Sequence, residues 1–228
     1  MSPVVNEDTE PLATLIGDVV ASKVHGDRHG LQRSLTTILE RANALLKPVQ
    51  QLNLTTGDEF QGGFSDVPSA ILASLVIRLE LLTCEDGADS RYGLGFGEVT
   101  VFDRARSPAS QDGPGWWSAR AAIDRAKTLA SSPRTWFART CFGYWPERSA
   151  AVRTDAGAIE AVLLCRDAIV DQMTERQRRL MLGLMLELPQ AQLAEDEGIT
   201  QGAVSQNLRR SGAFAIDAAQ RRLEVESE

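Results

Sequence analysis

Residues 54–64 read LTTGDEFQGGF and predict a tight hairpin. An apolar, β-branched run leads into a Gly-Asp pair, and a second short β-type run leaves it. This is the pattern of two strands joined by a tight turn. Two acids, Asp58 and Glu59, stand side by side at the tip. Because neighbouring strand residues point to opposite faces of a sheet, we expect these two carboxylates to have different roles.

A second acid outside the hairpin is Asp18, near the end of an apolar strand predicted for Leu12–Val20. An acid in such a run is costly to bury unless it is paired or binds a metal. If this strand lies beside the hairpin, Asp18 and Asp58 converge at one edge of the sheet, where carboxylates suit a hard cation. The alternative is that Asp58 is only a turn residue and Asp18 only marks the strand end.

Composition bounds the class of protein. The chain has 228 residues and a formal net charge of −7, which argues against a protein that coats nucleic acid indiscriminately but allows a local basic face. The sequence has no signal-peptide pattern and no apolar run long enough to span a bilayer, so we expect no membrane partner. Three widely spaced cysteines, Cys84, Cys141 and Cys165, fit no zinc spacing and predict reduced thiols in a cytoplasmic protein.

The order of elements predicts the fold class. Helical periodicity marks 31–46, 67–82 and 116–130, and strand patterns mark 12–20, the two arms of the hairpin, 91–102 and 134–142. The resulting order, β-α-β-β-α-β-α-β, predicts an α+β domain with a palm or ferredoxin-like, mostly antiparallel sheet and helices on one face. Glycines at 93, 95 and 97 indicate a close approach of backbone or ligand to the strand that contains them.

Several motifs in this order resemble one family. They are LIGDVVAS at 15–22, GDR at 26–28, GDEFQG at 57–62, GLGFGEVTVF at 93–102 and DGPGWWSARAAI at 112–123. Together they resemble the SatD family. The layout over 12–130 is also similar to the palm domains of class III nucleotide cyclases and diguanylate cyclases.

The cyclase likeness implies a site. In those palms, a first-strand aspartate and a hairpin aspartate hold two metals over a nucleoside triphosphate. Carried over, this implies Mg²⁺ with a nucleotide, and metal ligands at Asp18, Asp58 and the neighbouring Glu59. The residues expected to contact the nucleotide are Gly17, Arg28, Gly57, Arg120 and Lys127.

The third helix departs from the cyclase pattern. Cyclases carry an asparagine and an arginine there to stabilise the transition state, whereas this chain has Trp116, Trp117 and Ser118. Without preorganised donors aimed at developing charge, the largest catalytic contribution is missing. The resemblance therefore favours a nucleotide sensor over a working cyclase. The two tryptophans either pack on the sheet or stack on a base.

Residues 172–223 have a different character. Thr174 and Gln177 form a capping box before a helix that extends to about Leu188, and Gly198 separates two further short helices. A small residue, a turn glycine and an apolar residue at 194, 198 and 204 have the spacing of a helix-turn-helix. The segment resembles region four of sigma factors.

The second helix of this motif carries the expected DNA contacts. Gln and Arg side chains are the usual bidentate readers of base edges, and a helix N-terminus can meet a phosphate. The predicted DNA-binding residues are Thr200, Gln201, Ser205, Gln206, Arg209 and Arg210. The alternative is a helical module that binds another protein through a solvated polar face.

These patterns predict three segments: a palm-like sensor at 1–146, a linker and connector helix at 147–171, and an all-α helix-turn-helix domain at 172–228. The function they favour is a DNA-binding transcriptional regulator that dimerises on double-stranded DNA and responds to a nucleotide. One alternative is a divergent nucleotidyl cyclase or nucleotidyltransferase with two-metal chemistry at Asp18 and Asp58. Another is an adaptor protein whose palm has lost its ligands.

Overall fold

The computed structural model describes residues 8–20, 28–85, 87–103, 110–144 and 150–225. Six strands and three helices form the N-terminal part: β1 (Asp8–Val19), α1 (Arg28–Leu46), β2 (Gln50–Leu54), β3 (Glu59–Phe64), α2 (Val67–Thr83), β4 (Ser90–Asp103), β5 (Ser110–Asp112), α3 (Pro114–Ala130) and β6 (Thr140–Tyr144). Five helices follow: α4 (Ala150–Gln172), α5 (Glu175–Met185), α6 (Gln190–Asp196), α7 (Gln201–Arg210) and α8 (Ala213–Val225).

The sheet is built around β1. Its strand order is β2-β3-β1-β4-β5, and β6 lies parallel to β4, while the other pairs are antiparallel. The predicted mixed α+β class, hairpin and mostly antiparallel sheet are therefore confirmed. Strand β5 was not predicted, and the last strand was predicted to begin at Arg134, where the chain is still in turns. Hydroxyl groups of Ser131 and Thr135 hold those turns by donating to the carbonyls of Thr128 and Leu129.

The prediction of helices on one face of the sheet is wrong. Ala13 and Leu15 of β1 pack in the core beneath α1 and α2, whereas Leu12 and Ile16 pack against α3 on the opposite face. Apolar residues thus occur on both faces of β1, because both faces are covered. Trp116 is 8% exposed and joins the α3 side of the core, so packing on the sheet is confirmed for this tryptophan.

The glycine row of β4 explains how α3 approaches the sheet. A Cβ atom at Gly93 would lie 2.1 Å from the carbonyl oxygen of Ala119, and one at Gly95 would lie 2.4 Å from that of Gly115. Side chains at these positions would collide with the α3 backbone. The close approach predicted for these glycines is therefore a helix packed directly on the strand.

Helix α2 is mostly apolar and buried on both sides because it belongs to two cores. One side packs with the sheet and α1 through Ile71 and Ile77. Leu75, Val76 and Leu79 on the other side pack with residues of α4 to α8. The C-terminal helices thus share a core with the sheet domain, and the predicted segment boundaries at 146 and 171 stay predictions.

A buried ionic network ties α2, β4, β6 and α4 together. Arg78 donates to Asp89 at 2.9 Å and to Asp167 at 3.3 Å, and Arg139 Nε donates to Asp89 at 2.6 Å. Arg166, buried beside Asp167, donates to Thr140 Oγ1 at 2.7 Å. Burial alone would raise the pKa of Asp89, but attraction and hydrogen bonds from Arg78 and Arg139 outweigh it, so this pKa is lowered.

The C-terminal helices begin with the caps that the sequence predicts, but α5 ends at Met185 rather than near Leu188. Thr174 and Gln177 form the capping box of α5, with both reciprocal hydrogen bonds present. Gly198 has φ +63° in the turn after α6, and Thr200 caps α7 by accepting from the amide of Ala203. Within the part of the chain that the structure describes, every helix is too short or too polar to cross a bilayer.

Candidate functional site

Strand pairing brings three charged residues together at the end of β1. Asp18 lies opposite Glu59 of β3 on one side and opposite Arg91 of β4 on the other. Directly paired residues of neighbouring strands present their side chains on the same face. This face is the one covered by α3, which adds Arg120 and Lys127.

These five residues form what we call the charged cluster. Lys127 Nζ lies 2.9 Å from Asp18 Oδ2, and Arg91 lies 3.8 Å from Asp18 Oδ1. Arg120 donates to both oxygens of Glu59 at 2.6 and 2.7 Å, a bidentate pair. The hydrogen bonds from Arg120 outweigh partial burial and hold the pKa of Glu59 below its ordinary value.

The cluster gathers four of the predicted site residues: Asp18, Glu59, Arg120 and Lys127. Asp58 stays in the turn before β3, and Glu59 rather than Asp58 is the register partner of Asp18. Arg91 was missed, because its place beside Asp18 depends on the pairing of β1 with β4, which no local pattern reveals.

The remaining predicted nucleotide contacts lie elsewhere. Gly17 is packed under Phe60, since a Cβ there would lie 2.2 Å from the Phe60 ring. Gly57 is exposed in the hairpin turn with φ +68°, which a side chain would strain. Arg28 begins α1, and its side chain lies outside the described part of the structure.

The donor set of the cluster, as arranged, does not fit the Mg²⁺ that the cyclase likeness implies. Both Glu59 oxygens accept from Arg120, and Asp18 Oδ2 is taken by Lys127. Asp18 Oδ1 is buried without a hydrogen bond, but it faces Arg91. The described residues include no group of three His, Cys, Asp or Glu side chains placed to hold a metal. A divalent ion would have to displace Lys127 and Arg120.

A second candidate surface is presented by α7. Val204 and Leu208 are fully buried and fix this helix on its neighbours. Gln206, Arg209 and Arg210 are exposed on the side turned away from these two residues, and Gln201 is exposed in the first turn of the helix. Ser205 is half-buried at the edge of this side. Thr200 Oγ1 accepts a hydrogen bond from the amide of Ala203 as the helix cap, and its O–H group can still donate to a ligand.

Ionic contacts that were not predicted from the sequence fix α6 relative to α5. Arg179 donates to Glu197, at the end of α6, with its Nη2 at 2.9 Å, and Arg176 donates to the same carboxylate at 3.3 Å. The hydrogen bond from Arg179 keeps the pKa of Glu197 below its ordinary value. The sequence could not predict these ion pairs, because they depend on how α5 and α6 pack against each other.

The chain matches the model of one protein family over most of its length. The family model described as the SatD family matches residues 12–215, which include the sheet, the charged cluster and α7. The chain belongs to the SatD family. No curated protein matches this SatD-family chain. The predicted likeness of its last helices to region four of sigma factors stays a prediction.

Among solved structures, this SatD-family chain is similar to cyclases. A bacterial light-regulated adenylyl cyclase has a TM-score of 0.44 and 17% identity, covering 55% of this chain and 43% of its own. The guanylyl cyclase Cya2 has 0.43 and 13%, covering 52% and 72%. The guanylyl cyclase domain of the RhoGC fusion protein from the aquatic fungus Blastocladiella emersonii has 0.42 and 18%, covering 52% and 77%. The chain spans less than half of the first of these proteins, and likeness at this level concerns the fold alone.

Proposed function

We propose that this SatD-family chain is a DNA-binding regulator that places α7 in the major groove of double-stranded DNA. The observation that carries the proposal is the two-sided character of α7. Its buried side is locked by Val204 and Leu208, while Gln201, Gln206 and Arg209 are exposed on a rigid, N-capped helix. A recognition helix needs both features, because base contacts are specific only when the helix is held in place.

The exposed side chains suit the chemistry of the groove. Arg209 can donate two hydrogen bonds to a guanine edge, and Gln206 can pair with adenine. Arg210 and the hydroxyl of Thr200 suit phosphate oxygens, which position a protein on the duplex without reading sequence. The overall charge of −7 restrains non-specific binding, so affinity depends on this local surface. Binding as a homodimer would give paired half-sites.

The proposal predicts distinct effects for two neighbouring arginines. A preferred duplex is first selected from a randomised pool, and its binding is then followed by fluorescence anisotropy at several salt concentrations. Arg209→Ala is expected to weaken the selected duplex roughly 10- to 100-fold and to relax the base preference at one position. Arg210→Ala is expected to weaken all sequences alike and to lower the salt slope by about one.

The matched control is Arg134→Ala, which removes an exposed arginine in the turn between α3 and β6, away from α7. It is expected to bind the selected duplex like the unchanged protein. If selection enriches no sequence, or if Arg209→Ala and Arg134→Ala behave alike, the proposal is wrong. A helical module that binds another protein then becomes the better account of α7. A selected sequence with two inverted half-sites about 34 Å apart would support the dimer.

A second candidate function is nucleotide chemistry at the charged cluster. The observation that favours it is that predicted acids and predicted phosphate ligands do meet there, on an accessible side of α3. The side chains of Arg120 and Lys127 are 46% and 41% exposed. A triphosphate can therefore take the place of Glu59 and Asp18 as the partner of these two cations. A nucleotide bound in this way would make the sheet domain a sensor.

The response to Asp18→Asn separates a phosphate site from a two-metal enzyme. For a phosphate site, Asp18→Asn frees Lys127 and is expected to strengthen magnesium-free binding of ATP or GTP several-fold, while Arg120→Ala weakens it about tenfold or more. Calorimetry measures both. If binding instead requires Mg²⁺, is lost in Asp18→Asn and is accompanied by turnover, the chain is a nucleotidyl cyclase or transferase. Absence of nucleotide binding in the unchanged protein would remove this second candidate.

A further inference from the structure

A cavity of about 320 Å³ lies between the sheet domain and the C-terminal helices. Ile38 and Arg41 of α1 and Glu80 of α2 form one wall, and residues of α5 and α6 form the other. The apolar lining on the α5–α6 side is contributed by Leu180, Leu182, Leu186, Leu188 and Leu193. The cavity is large enough for a small organic molecule. It lies on the α1–α2 side of the sheet, whereas the charged cluster lies on the α3 side.

Glu80 is the unusual member of this lining. Its side chain is 4% exposed, and both carboxylate oxygens are buried without a hydrogen bond. Its one ionic neighbour among the described residues is Arg41, at 3.4 Å, and the Arg41 side chain is itself 60% exposed. A buried carboxylate that lacks donors is costly for the fold. Burial raises the pKa of Glu80 above its ordinary value, and Arg41 offsets this only in part.

The charges of the cavity favour a cation. Three acids, Glu80, Asp196 and Glu197, stand against two bases, Arg41 and Arg179. Glu197 already accepts hydrogen bonds from Arg179 and Arg176. Glu80 is therefore the buried acceptor in the described lining that lacks donors, and its ionic neighbour Arg41 is largely exposed and makes no hydrogen bond to it.

We infer that this cavity binds a small organic cation, an amine or amidine with an apolar body, whose N–H groups donate to Glu80. The ligand takes the place of Arg41 at the carboxylate, and its apolar body packs against the leucines of α5 and α6. Charge-assisted hydrogen bonds in a desolvated cavity are strong, and a few of them next to apolar contacts define a small-molecule site.

The cavity is placed to influence α7. Helices α5 and α6 are closely joined, since a Cβ at Gly183 would lie 2.2 Å from Leu193 Cδ2, and Arg179 holds Glu197. A ligand between α2 and this pair presses on both helices, and α6 leads directly into α7. An effect on DNA binding rests on the proposed function, whereas binding of the cation itself does not.

Calorimetry on the full chain without DNA tests the site. The probes are benzamidine, a flat amidinium with an apolar ring, and cyclohexylmethylamine, a primary ammonium, with neutral benzamide and anionic benzoate as controls. At least one of the two cations is expected to bind, and benzamide is expected to bind roughly tenfold more weakly than benzamidine or not at all. The same cation should raise the melting temperature.

Two variants make the test specific. Glu80→Gln keeps the shape of the side chain and is expected to lose cation binding. Arg41→Ala removes the competing arginine and is expected to strengthen it, whereas an anion-binding site would be weakened by that change.

Glu80→Gln is also expected to melt above the unchanged protein at pH 7.5. The raised folded-state pKa favours the neutral acid, so the difference should shrink as the pH falls toward about 4.3, the unfolded value.

Failure of both cations to bind, equal binding of benzamide, or unchanged binding in Glu80→Gln would each overturn the inference. Anisotropy with the selected duplex, with and without the bound cation, then examines the link to α7. Cation binding without any DNA binding would leave the cavity site intact and remove the proposed function. The two failures are therefore distinguishable.

Discussion

Replacing Asp167 with alanine is expected to destabilise the folded chain by about 3–5 kcal/mol. Asp167 is 1% exposed, and its Oδ2 accepts from the backbone amides of Arg139 and Thr140 at 2.8 and 2.7 Å. Its Oδ1 faces Arg78 and Arg166, both buried. Alanine would leave two buried guanidinium groups short of a counter-charge and two amides without an acceptor. Urea denaturation monitored by tryptophan fluorescence and circular dichroism measures the loss.

The matched control is Asp217→Ala on α8, where the aspartate forms an exposed i,i+4 pair with Arg221. Such pairs contribute little, so this change is expected to cost less than about 0.5 kcal/mol. Asp167→Asn is expected to be nearly as harmful as alanine, because its amide nitrogen would meet only donors. A cost below about 1 kcal/mol for Asp167→Ala would show that the network is well solvated and unimportant for stability.

The second large effect is expected for Gly93→Ala, which should destabilise the chain by about 3 kcal/mol or more. The new Cβ would lie 2.1 Å from Ala119 O and 2.4 Å from the amide nitrogen of Ile123. Both atoms belong to the α3 backbone, so a side-chain rotation cannot relieve the collision. The helix has to move away from β4, which opens the core around Trp116. Thermal and urea unfolding both report the change.

Gly157→Ala on α4 is a control of opposite sign. A Cβ at Gly157 meets nothing within 4 Å, and alanine is the better helix former by about 1 kcal/mol. This change is therefore expected to stabilise the chain slightly. If Gly93→Ala and Gly157→Ala had similar effects, the close contact between β4 and α3 would not exist in solution.

The helix caps and the turn of the C-terminal region could be predicted from the sequence. The capping box of Thr174, the turn at Gly198 and the cap at Thr200 each depend on residues within a few positions of one another, and the structure has all three. Such signals depend on backbone hydrogen bonds that close within one turn. The caps and turns around α6 and α7 were therefore predicted correctly.

The faces of the sheet were not predicted correctly, although a signal existed. Leu12 and Ile16 on one face of β1 alternate with Ala13 and Leu15 on the other, so the strand is apolar on both sides. A strand of this kind lies between two layers. The glycines of β4 indicated a close neighbour, but the sequence does not say whether a ligand or α3 fills the space.

The charged cluster shows where prediction from sequence stops. Asp18, Glu59, Arg120 and Lys127 were singled out, yet their pairing as ions, rather than as ligands of a metal, depends on the register of β1 with β3 and the rotation of α3. Register across distant strands is a tertiary property. The sequence did not mark Glu80 as a site residue either, because an acid within an apolar helix can equally well face solvent, and only the packing of the helix shows that it is buried.

Because α2 belongs to both cores, the protein cannot be divided into two independent fragments without exposing apolar residues. A fragment that ended at Tyr144 would keep every strand but would leave Leu75, Val76 and Leu79 in water. A fragment that contained only the last four helices would lose the apolar side of α2 against which they pack. Replacing either half by that of another protein would therefore require matching changes on α2, since its two sides pack against different cores.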